Sequence, residues 1–400
     1  MKQSNILCII ILAVFMLCCS SDKIAEDSLP CIDVRKNYPV KKIILTDIAD
    51  VTYVHLNTDD SDYFYKGNSF TYISENSIVI CDISSGSILF FSKDGTPKSR
   101  FNRYGIGPED YTSGMIDVFF YDEPADDVYV GANGKRNIQV YSSTGKYKRT
   151  LTLPQGIQPN QIVEFDNQSL VVFDKQLMWK KSFRESDLIH KTIDSIYLRI
   201  SKIDGKIVDY IEIPGNEIDL SVRGSKSRTL TDLKRLTKST VGVFLCNHES
   251  DTVFRYDKDA SLTPVFCKTP LVSDLDKKMI LNNFIEIGRY QYMSIKTLLS
   301  SDEMRGIYDE KIKYYMHDKQ TKEIFFQKII LPDYNGRDFH ISAKSNKTYN
   351  EKETMLCYEL DLFQLKQAYK DNRLSGKLKE LVATLDEMKD NNVLMFVQFK

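Results

Sequence analysis

"FSKDGTPKSRF", residues 91–101, sets the reading of the whole chain. A strand ends in an aromatic, Asp94-Gly95 turns the chain, a basic residue follows, and a second strand runs to Phe101. Asp-Gly suits such a hairpin because glycine reaches positive φ without a Cβ clash. The form returns as "YSSTGKYKRTL" (141–151) and "RISKIDGKIVDYIEI" (199–213). "YDKDASLTPVF" (256–266) keeps it without the glycine, and "YMHDKQTKEIFF" (315–326) is the weakest copy.

Taken at Gly95, Gly145, Gly205, Asp259 and Gln320, the turns lie 50, 60, 54 and 61 residues apart. At that period, the stretch from Val51 to Lys400 holds about six units. Each unit also carries an earlier strand, as in "SIVICD" before "SILFFS", "DVYVGA" before "NIQVYS", and "VGVFLCN" before "DTVFRYD". Short strands in fours, repeated around a ring, make the blades of a β-propeller. A β-sandwich would not need one recurring hairpin. The expected fold is therefore all-β: a six-bladed β-propeller over 51–400 with a short C-terminal helix and a closing strand.

The C-terminus supplies both of those last elements. "SGKLKELVATLDEMKDNN" puts Leu378, Leu381, Val382, Leu385 and Met388 on one face of a helix at about 375–390, with Ser375 as N-cap. "VLMFVQF", 393–399, reads as a strand. It is expected to share a blade with Val51–Leu56 and so close the ring.

The N-terminus has a different character. Lys2 precedes an apolar run from Ile6 to Leu17, too short to span a bilayer core of ~30 Å as a helix. A basic start and a short apolar run have the form of a secretory signal. The run ends in Cys18-Cys19-Ser20-Ser21 and resembles a bacterial lipoprotein signal, with Cys18 as the small residue before a lipidated Cys19. Met16 stands where that pattern prefers Leu. The expected organisation is a signal peptide at 1–18, a tether and lead-in strand at 19–50, and the propeller after it.

Beyond the signal, Cys31, Cys81, Cys246, Cys267 and Cys357 remain. Scattered spacing and an odd number do not make a disulfide framework or a zinc site. Cys246 and Cys267 fall on strands two places apart, roughly 9.6 Å, too far for a bridge. Both are expected to be free and buried.

Four stretches carry a family resemblance. They are "VTYVHLNTDD", "FSKDGTPKSRFNRYGIGPEDY", "ESDTVFRYDKDASLTPVF" and "DNNVLMFVQFK". With the signal, the chain resembles the six-bladed β-propeller lipoproteins of Bacteroidetes, a family related to NHL-repeat propellers. The resemblance implies a fold and an outer-membrane location in the cell envelope, on the periplasmic or the surface face, and little chemistry.

Hydrophobic residues make 42% of the chain, charged residues 27%, and net charge is −1, so no general attraction to nucleic acid or to an anionic membrane is expected. No histidine pair has the helical zinc spacing, there is no Gly-x-Ser-x-Gly elbow, and "GANGKRN" (131–137) lacks the P-loop spacing. The acidic runs "NTDDSD" (57–62) and "YDEPADD" (121–127) do not follow a calcium loop. His248, Glu249 and Asp251 share a tight loop, read as a hairpin connection. The basic stretches 175–191 and 224–240 look like weakly helical insertions on a propeller face. Gly105-Ile106-Gly107-Pro108 resembles a phosphate cradle, but "MIDVFFY" after it is strand-like, so no helix N-terminus is available. It reads as a blade-to-blade connection, with Arg103 and Tyr111 the residues to contact any ligand there.

The expected function is a non-catalytic envelope lipoprotein, a propeller that binds or scaffolds protein, peptide or glycan. Its partners would be the membrane, through lipid on Cys19, and an envelope protein or glycan. No cofactor, metal or catalytic residue is assigned. The alternative is a metal-dependent propeller enzyme, a lyase or hydrolase of NHL-like type, with ligands gathered from several blades at the channel mouth.

Overall fold

A computed structural model of the chain describes residues 29–58, 62–65, 69–111, 116–132, 135–174, 195–214, 235–247, 250–297, 312–343 and 355–400. In chain order the first strands are β1 (Cys31–Asp33), β2 (Val40–Ile44) and β3 (Ala49–His55), with the short helix α1 (Leu45–Ile48) between β2 and β3. Blade 1 follows as β4 (Ser69–Ile73), β5 (Ser77–Asp82), β6 (Ile88–Ser92) and β7 (Pro97–Phe101). Blade 2 is β8 (Ile116–Asp122), β9 (Asp127–Ala132), β10 (Asn137–Tyr141) and β11 (Tyr147–Thr152). Blade 3 is β12 (Pro159–Glu164), β13 (Ser169–Asp174), β14 (Tyr197–Ser201) and β15 (Ile207–Ile211). Blade 4 is β16 (Leu236–Lys238), β17 (Gly242–Cys246), β18 (Thr252–Asp257) and β19 (Leu262–Thr269). Blade 5 is β20 (Met279–Ile287), β21 (Tyr290–Thr297), β22 (Ile312–Asp318) and β23 (Ile324–Ile330). Blade 6 joins β24 (Met355–Leu360) and β25 (Val393–Phe399) to β3.

The core lies between blades, because each blade buries both faces. On β5, Ile78 and Ile80 pack toward Leu394 and Phe396 of blade 6. Their neighbours Val79 and Cys81 pack toward Val128 and Val130 of blade 2. That alternation is the period-2 geometry of a strand. Six such clusters fill the six successive interfaces, the one between blades 6 and 1 included, so the ring is closed.

Closure takes the form expected from the two ends. β25 pairs antiparallel with β3, from Val393↔His55 to Phe399↔Ala49. Asn391, 1% exposed, fastens the seam. Its Oδ1 accepts from the Tyr65 amide at 3.0 Å, and its Nδ2 donates to the carbonyls of Leu56 and Tyr63 at 3.1 and 3.0 Å.

All five hairpin copies turn through one residue at positive φ. The residue at positive φ is Gly95, Gly145, Gly205, Ala260 or Lys322, at 89°, 80°, 77°, 66° and 59°. Its amide donates back to the carbonyl of Ser92, Ser142, Ser201, Asp257 or Asp318 at 2.8–3.0 Å. Glycine has a second reason to stand there. A Cβ at Gly145 would lie 2.5 Å from the Phe101 Cβ of the preceding blade, and one at Gly95 would run into the His55 carbonyl.

Four expectations need correction. Cys267 is not free: it is joined to Cys31 by a disulfide, while Cys246 is free and buried. The bridge exists because β1 adds to the outer edge of blade 4, parallel to β19, with Cys31 opposite Cys267. β2 adds likewise to β23 of blade 5, so the folded ring takes in residues from Cys31 rather than Val51. The C-terminal helix is a pair, α2 (Leu362–Lys370) and α3 (Gly376–Thr384), wedged between blades 5 and 6 by Leu362, Leu365, Leu378 and Val382. Met388 falls beyond α3 and is 80% exposed, whereas Ser375 stands at the N-cap position as expected, with its hydroxyl donating to the Pro332 carbonyl. Finally, the basic segment 224–240 ends in a strand, since Leu236–Lys238 is the inner strand of blade 4. Residues 175–191 and 224–234 lie outside the described residues.

Candidate functional site

Antiparallel blades give the ring two edges. The lower edge carries the turns between first and second, and third and fourth, strands. The upper edge carries the turns between second and third strands and the passages to the next blade. A cavity of about 650 Å³ opens on the lower edge. It is lined by the first turns of blades 1, 2 and 3 and by Lys238 and Lys258 of blade 4.

Its walls mix aromatics with charge. Tyr72 meets Phe120 edge to face at 5.4 Å, and Phe165 packs on Tyr256 at 4.9 Å. Each of the three turns brings acids: Glu75 from blade 1, Asp122 and Glu123 from blade 2, Glu164 and Asp166 from blade 3. Burial, with Glu164 and Asp122 nearby, pushes the Tyr72 phenol far up, so it stays neutral.

Lys202 organises this floor. Its side chain is 6% exposed, and its ammonium lies 2.7 Å from Asp122 Oδ2 and 2.7 Å from Glu164 Oε1. Glu164 Oε2 then meets Lys238 Nζ at 2.8 Å. Asp122, Lys202, Glu164 and Lys238 thus form a row of alternating charges across blades 2, 3 and 4. Burial raises the Glu164 carboxyl, but Lys238 and Lys202 outweigh it and hold it below its ordinary range. Glu123 is lowered in the same sense: burial opposes, and hydrogen bonds from Ser77, Asn76 and Ser74 prevail. Its carboxylate accepts from Ser77 Oγ at 2.7 Å and the Asn76 amide at 2.9 Å, which ties blade 2 to blade 1.

Arg103 and Tyr111 lie on the upper edge, away from this cavity. Tyr111 is 2% exposed. Its hydroxyl donates to the Gly86 carbonyl at 2.6 Å and accepts from the Arg103 amide at 2.9 Å. Burial pushes its phenol up. The Arg103 guanidinium meets Glu109 at 3.2 Å and Asp110 at 3.7 Å. Gly105 and Gly107 leave room for the Asp110 carboxylate: a Cβ on Gly107 would stand 2.7 Å from Asp110 Oδ2 and one on Gly105 would meet the same atom, so that side chain would have to shift. The Gln139 amide and Tyr141 hydroxyl pin the loop to blade 2 through the carbonyls of Pro108 and Glu109.

Asp251 is a tie rather than a lone acid. It meets Lys268 Nζ at 2.6 Å, both side chains being buried, and accepts from the Val272 amide at 2.8 Å. His248, Glu249 and Cys19 lie outside the described residues. Among the described residues no three His, Cys, Asp or Glu converge on a metal position, and no helix is long and apolar enough to cross a membrane.

The Lys202 row was missed in the sequence because its members come from turns far apart in the chain. The signal that could have found it is the repeated acid in the first turn of blades 1 to 3, visible once the repeats are aligned.

An exported protein of Bacteroides fragilis NCTC 9343 shares the fold with a TM-score of 0.61 at 16% identity, over 90% of this chain and 99% of that one. A DUF4221 family member from Bacteroides vulgatus ATCC 8482 gives 0.46 at 10% identity, over 88% and 97%. No functionally curated protein matches the chain. The model of a family described as a domain of unknown function, DUF4934, matches residues 29–398.

Proposed function

The chain belongs to the DUF4934 family, and on that premise we propose that it is a non-catalytic binding module of the cell envelope, held at the outer membrane by lipid on Cys19. The observation that carries the binding reading is the lower-edge cavity, with aromatic walls and a floor of charges fixed by one another. An ammonium locked between carboxylates is a poor nucleophile, and a carboxylate held low is a poor base at neutral pH. Fixed polar groups between aromatic walls suit recognition instead. The ligand classes that fit are peptide, glycan or a segment of an envelope protein.

Export is supported by the signal-like N-terminus and by the Cys31–Cys267 bridge, since disulfides persist in oxidising compartments. The likeness to an exported Bacteroides protein agrees with it. Kinship with NHL-repeat propellers belongs to the same reading. The test is binding to defined glycan and peptide arrays by the wild type and by a Glu75→Arg/Asp166→Arg variant at the cavity rim. Binding that the rim variant loses is expected. Binding insensitive to the rim overturns the cavity assignment, and metal-dependent turnover of an array member would establish the enzyme alternative.

A further inference from the structure

The lower-edge cavity holds two sets of acids that differ in what holds them. Asp122 and Glu164 are paired with Lys202 and Lys238, so the floor row is neutral in itself. Glu123 and Asp166 are held by neutral donors instead. Glu123 accepts from Ser77 Oγ at 2.7 Å and from the Asn76 amide and Nδ2 at 2.9 and 3.2 Å. Asp166 accepts from the Gln168 amide at 2.8 Å and Ser169 Oγ at 2.7 Å. Hydroxyls and amides fix a carboxylate without cancelling its charge. Burial raises the Asp166 carboxyl, but Ser169, Gln168 and, last, Arg199 outweigh it and hold it ionised. Lys98 reaches Glu123 only through the Ser77 hydroxyl, to which it donates at 3.1 Å. Glu75 is exposed in the first turn of blade 1.

Five carboxylates line the cavity against Lys238 and Lys258, with Lys202 beneath. The balance is two negative charges, and it falls outside the floor row, on Glu75, Glu123 and Asp166 against Lys258. The aromatic walls stand among these acids and already carry the protein's own cations. Lys202 Nζ lies 5.8 Å from the Phe120 ring centre, and the Arg199 guanidinium lies 4.9 Å from that of Phe165. Such rings attract cations through their electron-rich faces.

We propose that the cavity takes a cationic side chain, an arginine or lysine presented by a peptide, in preference to a neutral or acidic ligand. The proposal rests on the binding reading of this cavity given above and narrows it. Arginine fits better than lysine, because its planar guanidinium pairs with carboxylates through two hydrogen bonds and stacks on aromatic rings. Carboxylates already fixed in place need little ordering on binding. An acidic peptide or glycan meets the uncompensated charge with its own sign and is turned away.

The probe is an immobilised hexapeptide library in which one position is arginine, lysine, citrulline or glutamate, read with the full-length protein at low and at high salt. Arginine peptides are expected to bind about tenfold tighter than their neutral citrulline counterparts, and the preference should shrink as salt screens it. Glu75→Gln/Asp166→Asn should weaken arginine peptides by about 2- to 30-fold and leave citrulline peptides unchanged. Lys258→Gln removes a cation that opposes the ligand and should tighten arginine peptides, a gain that a partly unfolded protein cannot give. Equal binding of arginine and citrulline peptides, or an arginine preference that none of these substitutions moves, overturns the proposal. The failures are separable with neutral glycans as a second probe. Glycan binding that Glu75→Arg/Asp166→Arg abolishes, without any preference for arginine, overturns the charge inference and keeps the cavity. If no probe responds to the rim, both fall.

Discussion

Replacing Lys202 with Met should destabilise the ring strongly, and more at neutral than at acid pH. The substitution keeps most of the stem's volume and removes the ammonium that lies 2.7 Å from both Asp122 and Glu164. Those carboxylates are 9% and 24% exposed, so water replaces the lost partner poorly. Removing one member of a buried pair costs about 3–5 kcal/mol, mostly from the charge left behind. With an unfolding entropy of roughly 2 cal/mol/K per residue, that is about 5 °C in Tm for a ring of this size. The pH arm follows from Glu164. In the wild type its folded carboxyl is held low, so its contribution is present above the unfolded value of about 4.3 and is lost as pH falls through the folded value. In the variant the carboxyl rises, because burial meets one lysine instead of two. Glu164 then takes up a proton earlier on acidification, and the deficit should narrow between pH 7 and pH 5. Urea unfolding of both proteins at the two pH values measures this. A cost below about 1 kcal/mol, or a deficit equal at both pH values, would mean that Lys202 does not hold these carboxylates.

Three further predictions follow from the architecture. Deleting residues 391–400 removes β25 and Asn391, so the melting temperature should fall sharply, and an unchanged melt would sink the closure described for blade 6. Cys31→Ser opens a loop of 236 residues and should cost on the order of 4–5 kcal/mol in the oxidised protein, with no further loss on adding reductant; calorimetry with and without reductant reads it. Gly145→Ala should cost more than 2 kcal/mol, since positive φ and the Phe101 contact both oppose a Cβ, whereas Ala260→Gly at the equivalent turn should be neutral or stabilising by up to about 1 kcal/mol.

The ring was legible because its turn is local. Gly95, Gly145 and Gly205 mark the positive-φ position directly, and their spacing carries the blade period. The last two turns place their positive-φ residues at Ala260 and Lys322, one and two positions past Asp259 and Gln320, because no glycine marks the place. β1 was not legible. Three residues paired in parallel with a partner 236 positions away leave no local pattern, and Cys31 looked like part of a polar tether. Lys202 was hidden for a related reason. In "SKIDG" it reads as an exposed turn residue, as its counterpart Lys93 does in "SKDG". Its burial is made by Asp122 and Glu164, which reach it from another blade and another strand. The site is a product of the ring, while the sequence displays the blades one at a time.

Binding at the lower-edge cavity predicts where a ligand slows amide exchange, read by hydrogen exchange with and without an array-identified ligand. Slowed exchange should be confined to amides around 74–76, 122–125 and 165–168, the first turns of blades 1, 2 and 3. Protection that instead appears around Gly86 and Arg103–Gly107, on the upper edge, would contradict it.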